Sequence, residues 1–162
     1  MTVSCNCQDY DGTGHLGDLS KRNLQEIFDG KIAMKFRNML SKGKLPILTC
    51  SRCPELKSIP KDSEIKPYTI PHKGIMIENT IRCNLRCRSC PRESVVSIRQ
   101  KLNLSISNLR NISSLIKKYG IKKIAYFNLG EPFLSSKIYE ELKIIKDLNN
   151  DLKINISQMV HY

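Results

Sequence analysis

Gly74-Ile75-Met76-Ile77-Glu78-Asn79, followed three residues later by Cys83-Asn84-Leu85-Arg86-Cys87-Arg88-Ser89-Cys90, is the stretch on which the fold turns. The first part is a short apolar run of strand length. The second part holds three thiols spaced by three and two intervening residues. A loop winding past a cubane iron-sulfur cluster presents its sulfurs at such short, unequal intervals, and three ligands leave the fourth iron open. An open coordination position separates a working metal centre from a closed structural one.

Working outward toward higher numbers, the pattern alternates. Leu109, Ile112, Leu115, Ile116 and Tyr119 form a helical stripe closed by Gly120, and Lys123-Ile124-Ala125-Tyr126-Phe127 reads as a second strand. Ile138, Leu142 and Ile145 begin another helix after the capping candidates Ser135 and Ser136, and Leu152, Ile154 and Ile156 alternate as a third strand. The order βαβαβ predicts an α/β fold with a parallel sheet and right-handed crossovers, and functional groups gather at the carboxyl ends of such strands. The cysteine loop, just past the first strand, stands at one of those ends.

Working outward toward lower numbers, residues 54–73 hold four of the seven prolines, Pro54, Pro60, Pro67 and Pro71, and read as a stiff linker. Before it, Cys5-x-Cys7 and Cys50-x-x-Cys53 flank a helical unit. Asp11 to Asp18 carries three glycines and reads as a turn or short hairpin. Asn23-Leu24-Gln25-Glu26 has the spacing of a capping box, with Leu24, Ile27 and Phe28 behind it on one face. Gly30 interrupts, and a second helix runs through Ile32, Phe36, Met39 and Leu40 to a stop at Gly43. The expected organisation is a cysteine-rich, mostly helical domain at 1–53, a linker at 54–73 and an α/β domain at 74–162.

Composition narrows the class. With 162 residues, 40% hydrophobic and 26% charged, the chain is globular and too short for an eight-stranded barrel, which takes about 250 residues. No run approaches the roughly 18 apolar residues of a membrane helix, and a cytoplasmic protein is expected. Seven clustered cysteines in a reducing compartment point to metal or redox chemistry rather than disulfides. The net charge of +12 invites a nucleic-acid partner. However, Lys117-Lys118 and Lys143/Lys146 fall on helix faces without interleaved aromatics, so a solvated surface is the preferred reading.

The CxxxCxxC pattern after the first strand, with Gly130-Glu131-Pro132 after the second, resembles the radical S-adenosylmethionine (radical SAM) superfamily over about residues 74–157. The resemblance implies the first half of a partial (β/α)6 barrel. It also implies a 4Fe-4S cluster on Cys83, Cys87 and Cys90, whose open iron is chelated by S-adenosylmethionine. The cosubstrate is then cleaved to a 5′-deoxyadenosyl radical that modifies a peptide or small organic substrate. By the same resemblance, Gly130, Glu131 and Pro132 border the cosubstrate's amino group. Ser89 occupies the position where relatives often place an apolar residue against adenine, and Leu129 stands where they often have glycine. Arg82, Arg86, Arg88 and Arg92 would help keep the thiols deprotonated and offset a negative cluster. A reducing electron donor is an implied partner.

The first 53 residues resemble the later portion of a SPASM-type auxiliary cluster domain, on Cys5, Cys7, Gly17-Asp18-Leu19, the helix around Leu24 to Phe28, Arg37 to Leu40, Cys50 and Cys53. This implies an auxiliary 4Fe-4S cluster on Cys5, Cys7, Cys50 and Cys53. Zinc fits the same four thiols and stays open as an alternative. Because the pattern stops after three strands, the chain is expected to be a fragment or one piece of a split enzyme, with a second polypeptide completing the barrel. Two rivals stand beside this reading: a zinc-stabilised basic binding module without catalysis, and a degenerate relative with a vestigial cluster loop. His15, His72 and His161 are read as ordinary surface residues.

Overall fold

The computed structural model describes residues 1–60, 63–64, 69–70, 73–99 and 101–157; Pro67, Pro71, His72 and His161 lie outside them. The chain divides into two compact units, Met1–Ile70 and Pro71–Tyr162. The described residues 54–60, 63–64 and 69–70 of the expected linker fall in the first unit.

The first unit opens with an antiparallel pair, β1 (Thr2–Ser4) and β2 (His15–Asp18), in the register Thr2↔Asp18 and Val3↔Gly17. The expected turn before Asp18 is therefore half of a hairpin whose other strand shows no alternation in the sequence. The loop between them is fastened from within. Asp9 accepts the Gly14 amide at 2.6 Å and the Ser4 hydroxyl, and the Cys5 amide donates to the Gly14 carbonyl at 3.0 Å.

Next comes α1 (Leu24–Phe28), which has the capping box read from its sequence: the Glu26 amide donates to Asn23 Oδ1 at 2.9 Å and the Asn23 amide to Glu26 Oε2 at 3.0 Å. Its one fully buried residue, Ile27, packs on Gly17, where a Cβ would stand 2.8 Å from Ile27 Cγ1. Gly30 caps the start of α2 (Lys31–Ser41), and Gly43 ends it in a left-handed conformation at φ 68°. A short 3₁₀ turn, Leu48–Arg52, then carries Cys50.

In the second unit, β3 (Ile75–Met76) leads through the cysteine loop to α3 (Arg92–Val95) and on to α4 (Ile106–Lys118), which returns to β4 (Lys123–Ala125). After a 3₁₀ turn at Pro132–Leu134, α5 (Ile138–Leu148) leads to β5 (Lys153–Asn155). All three strands are parallel in the order β3-β4-β5, with Ile75↔Ile124 and Ile124↔Ile154 in register. The βαβαβ order holds, and the strands follow one another without reversal. That succession is compatible with a segment of a radical SAM barrel, and among the described residues no switch point of a doubly wound sheet occurs.

The crossover helices lie side by side. Ser113 Oγ donates to the Ile144 carbonyl at 3.2 Å, and Asn149 Nδ2 to the Ser113 carbonyl at 3.1 Å. Beneath them Ile77, Leu109, Ile116, Ile121, Ile124, Tyr126, Ile144, Ile145 and Leu152 form one buried cluster. Each such side chain contributes roughly 1.5–3 kcal/mol by leaving water. Gly120, at φ 61°, closes α4 with the Ile121 amide donating back to the Ile116 carbonyl at 3.0 Å.

One capping expectation is corrected. The N-cap of α5 is Lys137, without a side-chain cap, while the Ser135 hydroxyl turns inward to Glu141 at 2.6 Å. Its oxygen still accepts the Lys137 amide at 3.3 Å, so one hydroxyl serves both the turn ahead of the helix and the buried carboxylate. No helix among the described residues is long and apolar enough to cross a membrane.

Candidate metal and cosubstrate site

The strand β3 ends early because its next residues are engaged elsewhere. The Ile77 amide still donates to the Ala125 carbonyl at 2.8 Å, but Glu78 accepts the Leu129 amide at 3.2 Å and the Asn79 carbonyl accepts the Leu104 amide at 2.7 Å. Thr80, buried, donates to Asn103 Oδ1 at 2.8 Å and accepts the Arg82 amide at 3.0 Å. These contacts aim the chain into the cysteine loop. Thr80 and Asn103 carry no signature of their own in the sequence.

In the loop, Cys83 and Cys90 are half-buried and Cys87 is exposed, all three as free thiols. The Cys90 amide donates to the Cys87 carbonyl at 3.0 Å, which puts the last two cysteines on one turn, and the Leu85 amide lies 3.4 Å from Cys83 Sγ. Among the described residues no three Cys, His, Asp or Glu side chains converge at metal-binding spacing, so the three thiols share a short loop without closing on a common point. Their chemistry nevertheless suits an iron-sulfur group: free sulfurs, accessible, with a backbone N–H directed at one of them. Arg82, Arg86, Arg88 and Ser89 are exposed, and Arg92 pairs with Glu93.

Gly130-Glu131-Pro132 is brought against this loop. The Glu131 amide donates to the Arg82 carbonyl at 2.8 Å, immediately before Cys83. A Cβ on Gly130 would overlap the Thr80 carbonyl group, with Thr80 C at 2.7 Å and Ile81 Cα at 2.9 Å. The glycine thus permits a close backbone approach within the chain itself. Glu131 and Pro132 are buried, and Glu131 Oε1 accepts the Phe133 amide at 3.3 Å as the cap of the 3₁₀ turn.

Behind both loops lies a buried polar cluster that the sequence reading missed. Glu141 accepts from Asn79 Nδ2 and the Tyr126 hydroxyl, each at 2.9 Å, and from Ser135 Oγ at 2.6 Å. Burial, and then the neighbouring Glu141 carboxylate, push the Tyr126 phenol well above its ordinary value. The signal was available in the helical period. Position 141 is three residues after Ile138 and four before Ile145, on the buried stripe of α5.

In the first unit all four cysteines are free thiols, with Cys5 exposed. Burial raises the Cys5 thiol above its ordinary range, and the charges of Asp9 and Cys50 add to the rise. Cys50 is buried, Cys7 and Cys53 are half-buried, and Asn6 Nδ2 lies 3.3 Å from Cys5 Sγ.

No protein-family model matches the chain, and no solved structure matches it. At the level of superfamily, partial homology supports a relationship to radical SAM enzymes. The similarity is to the GTP 3',8-cyclases of Listeria monocytogenes serotype 4b (strain CLIP80459) and serovar 1/2a (strain ATCC BAA-679 / EGD-e). Each is 39% identical over 70 residues, which is 43% of this chain and 21% of the relative. The matched region is about a fifth of the length of these relatives.

Proposed function

We propose that the chain is a radical SAM protein, or part of one. In this reading Cys83, Cys87 and Cys90 hold a 4Fe-4S cluster, and Gly130, Glu131 and Pro132 border the S-adenosylmethionine site. One observation supports it most directly: the Glu131 amide on the Arg82 carbonyl at 2.8 Å sets the second motif beside the first cysteine, although the two are far apart in sequence. When bound, the cluster supplies the electron that splits the sulfonium into methionine and a 5′-deoxyadenosyl radical.

The chain's own residues bind and orient. The three thiolates hold the metal, and the exposed arginines around them offset the negative charge of a bound cluster. The Gly130 segment offers backbone acceptors to the cosubstrate's amino group, and Ser89 gives adenine a small polar neighbour. The buried side chains of Glu131 and Pro132 leave main chain as the ligand-facing part of that motif. A reducing partner supplies electrons. The relatives' name gives GTP as their substrate; for this chain we propose a peptide or small organic substrate, because a cysteine-rich unit accompanies the α/β unit. Cys5, Cys7, Cys50 and Cys53 form a second site, for an auxiliary cluster or zinc, a reading supported by four free thiols in one compact unit.

Anaerobic reconstitution with iron and sulfide tests this. The expected protein is brown, loses its cluster absorbance from the second unit in Cys87→Ala, and releases 5′-deoxyadenosine from S-adenosylmethionine when reduced. A colourless protein containing only zinc, with the thiols of Cys83, Cys87 and Cys90 still titratable, would overturn it.

A further inference from the structure

Glu141 is a buried carboxylate whose neighbours along α5, Ile138 and Ile145, show what ordinary packing on this stripe uses. An ionisable group in such a place needs hydrogen bonds to offset the loss of water, and an apolar residue of similar volume is often at least as stabilising. No ion pair reaches Glu141 among the described residues. Its donors come instead from three separate pieces of chain. Asn79 lies between β3 and the cysteine loop, Tyr126 follows β4, and Ser135 leaves the 3₁₀ turn after Pro132. Asn79 Nδ2 also reaches the Pro132 carbonyl at 3.4 Å, so one carboxylate sets where the strand end stands relative to the Gly130 to Pro132 segment.

We infer that Glu141 is a positioning residue that holds the Gly130 to Pro132 segment in register with the stretch leading into Cys83. The inference rests on the proposed function for its consequence, cosubstrate affinity, but the register itself can be read without any cofactor.

Hydrogen exchange of the full chain provides that reading. In Glu141→Gln, which keeps the shape but replaces one acceptor oxygen with a donor, amides at 79–83 and 129–135 should lose protection by roughly tenfold while those at 109–118 keep wild-type values. Tyr126→Phe removes a single donor and should shift the same amides by roughly threefold. It serves as the test should Glu141→Gln fail to fold. Wild-type protection in both loops, or an equal loss through α4, would overturn the inference, since the second pattern marks general destabilisation.

In reconstituted protein, equilibrium dialysis should show the S-adenosylmethionine dissociation constant of Glu141→Gln raised roughly tenfold at unchanged cluster absorbance, as for other residues that orient a ligand-bearing shell. Unchanged affinity with a full cluster would overturn the link to the site. If the wild type binds no S-adenosylmethionine, the proposed function fails, and the exchange pattern alone decides the role of Glu141.

Discussion

The two units hold themselves together by different means. Among the described residues, Met1–Ile70 buries Ile27, Ala33 and Cys50 as its apolar core and leaves Ile32, Met34, Leu45, Leu48 and Ile59 exposed. Its order comes from polar fastening: Asp9 across the hairpin loop, Asp18 on the N-terminal ammonium at 2.6 Å, and the Asn23–Glu26 box. Pro71–Tyr162 instead closes nine buried side chains under two helices, with its cysteines projecting from a loop outside that cluster. So small a core as the first unit's is seldom enough without a covalent or metal staple. On the proposed function the cysteines would differ in role, contributing to the fold itself in the first unit and to the site in the second.

The largest expected effect follows from that difference. Removing metal with a chelator under anaerobic conditions should unfold the first unit and spare the second, because structural metal binding contributes about 10–16 kcal/mol in comparably small sites. Segment-resolved hydrogen exchange checks it. Equal protection of the amides at 24–41 with and without metal would break the comparison, since the polar fastenings alone would then suffice.

A smaller effect is expected in the second unit, and it falls on a loop junction instead of a metal. Gly130→Ala places a methyl group in the Thr80 carbonyl group, backbone that cannot swing aside as a side chain could. A loss of about 3 kcal/mol is expected, the upper range for overpacking, measured as a lowered urea midpoint. A change under about 1 kcal/mol would mean that the Thr80 loop yields and that the two motifs are not rigidly joined.

How far the sequence anticipated these regions depends on whether the signal was local. The helices were legible because Leu109, Ile112 and Ile116, or Ile138 and Ile145, repeat at the helical period, and the CxxxCxxC loop was legible because spacing is a one-dimensional property. The strand β1 was not, since Thr2–Ser4 is three residues long and is defined only by pairing with His15–Asp18. Strand β3 is shorter than its apolar run because Glu78 and Asn79 leave the ladder to bind Leu129 and Leu104. Gly130 was singled out only through the resemblance, as a neighbour of the cosubstrate; its close approach to Thr80, fifty residues earlier in the chain, was not legible. Ser135 carried a capping signature; its oxygen accepts the Lys137 amide just ahead of the helix, while its proton goes to Glu141, a tertiary contact with no local signature.

The smallest effect separates the units by pH. In the first, the N-terminal ammonium and the Ser20 amide hold Asp18 well below the usual carboxylate range, and the Thr13 amide and hydroxyl lower Asp11. Such groups add stability above the unfolded carboxylate value of about 3.9, and that contribution is lost as pH falls toward the folded value; being exposed, they add little. Glu78 in the second unit has the opposite sign. Burial raises its carboxyl, and Arg99 at 3.4 Å and the Leu129 amide offset only part of that rise. The folded state then holds the proton more tightly than the unfolded one, so stability is fully present in acid. It declines as pH climbs from the unfolded value of about 4.3 through the folded one. Glu78→Gln keeps a carbonyl for the Leu129 amide and cannot ionise, so its stability relative to wild type should be flat in acid, improve as pH climbs from about 4.3 through the folded value, and then level off, with the first unit's slope unaltered. Urea titrations followed by segment-resolved exchange measure both slopes in one protein. Parallel slopes for wild type and Glu78→Gln would show that Arg99 fully offsets the burial of this carboxylate, and the contrast in sign between the units would disappear.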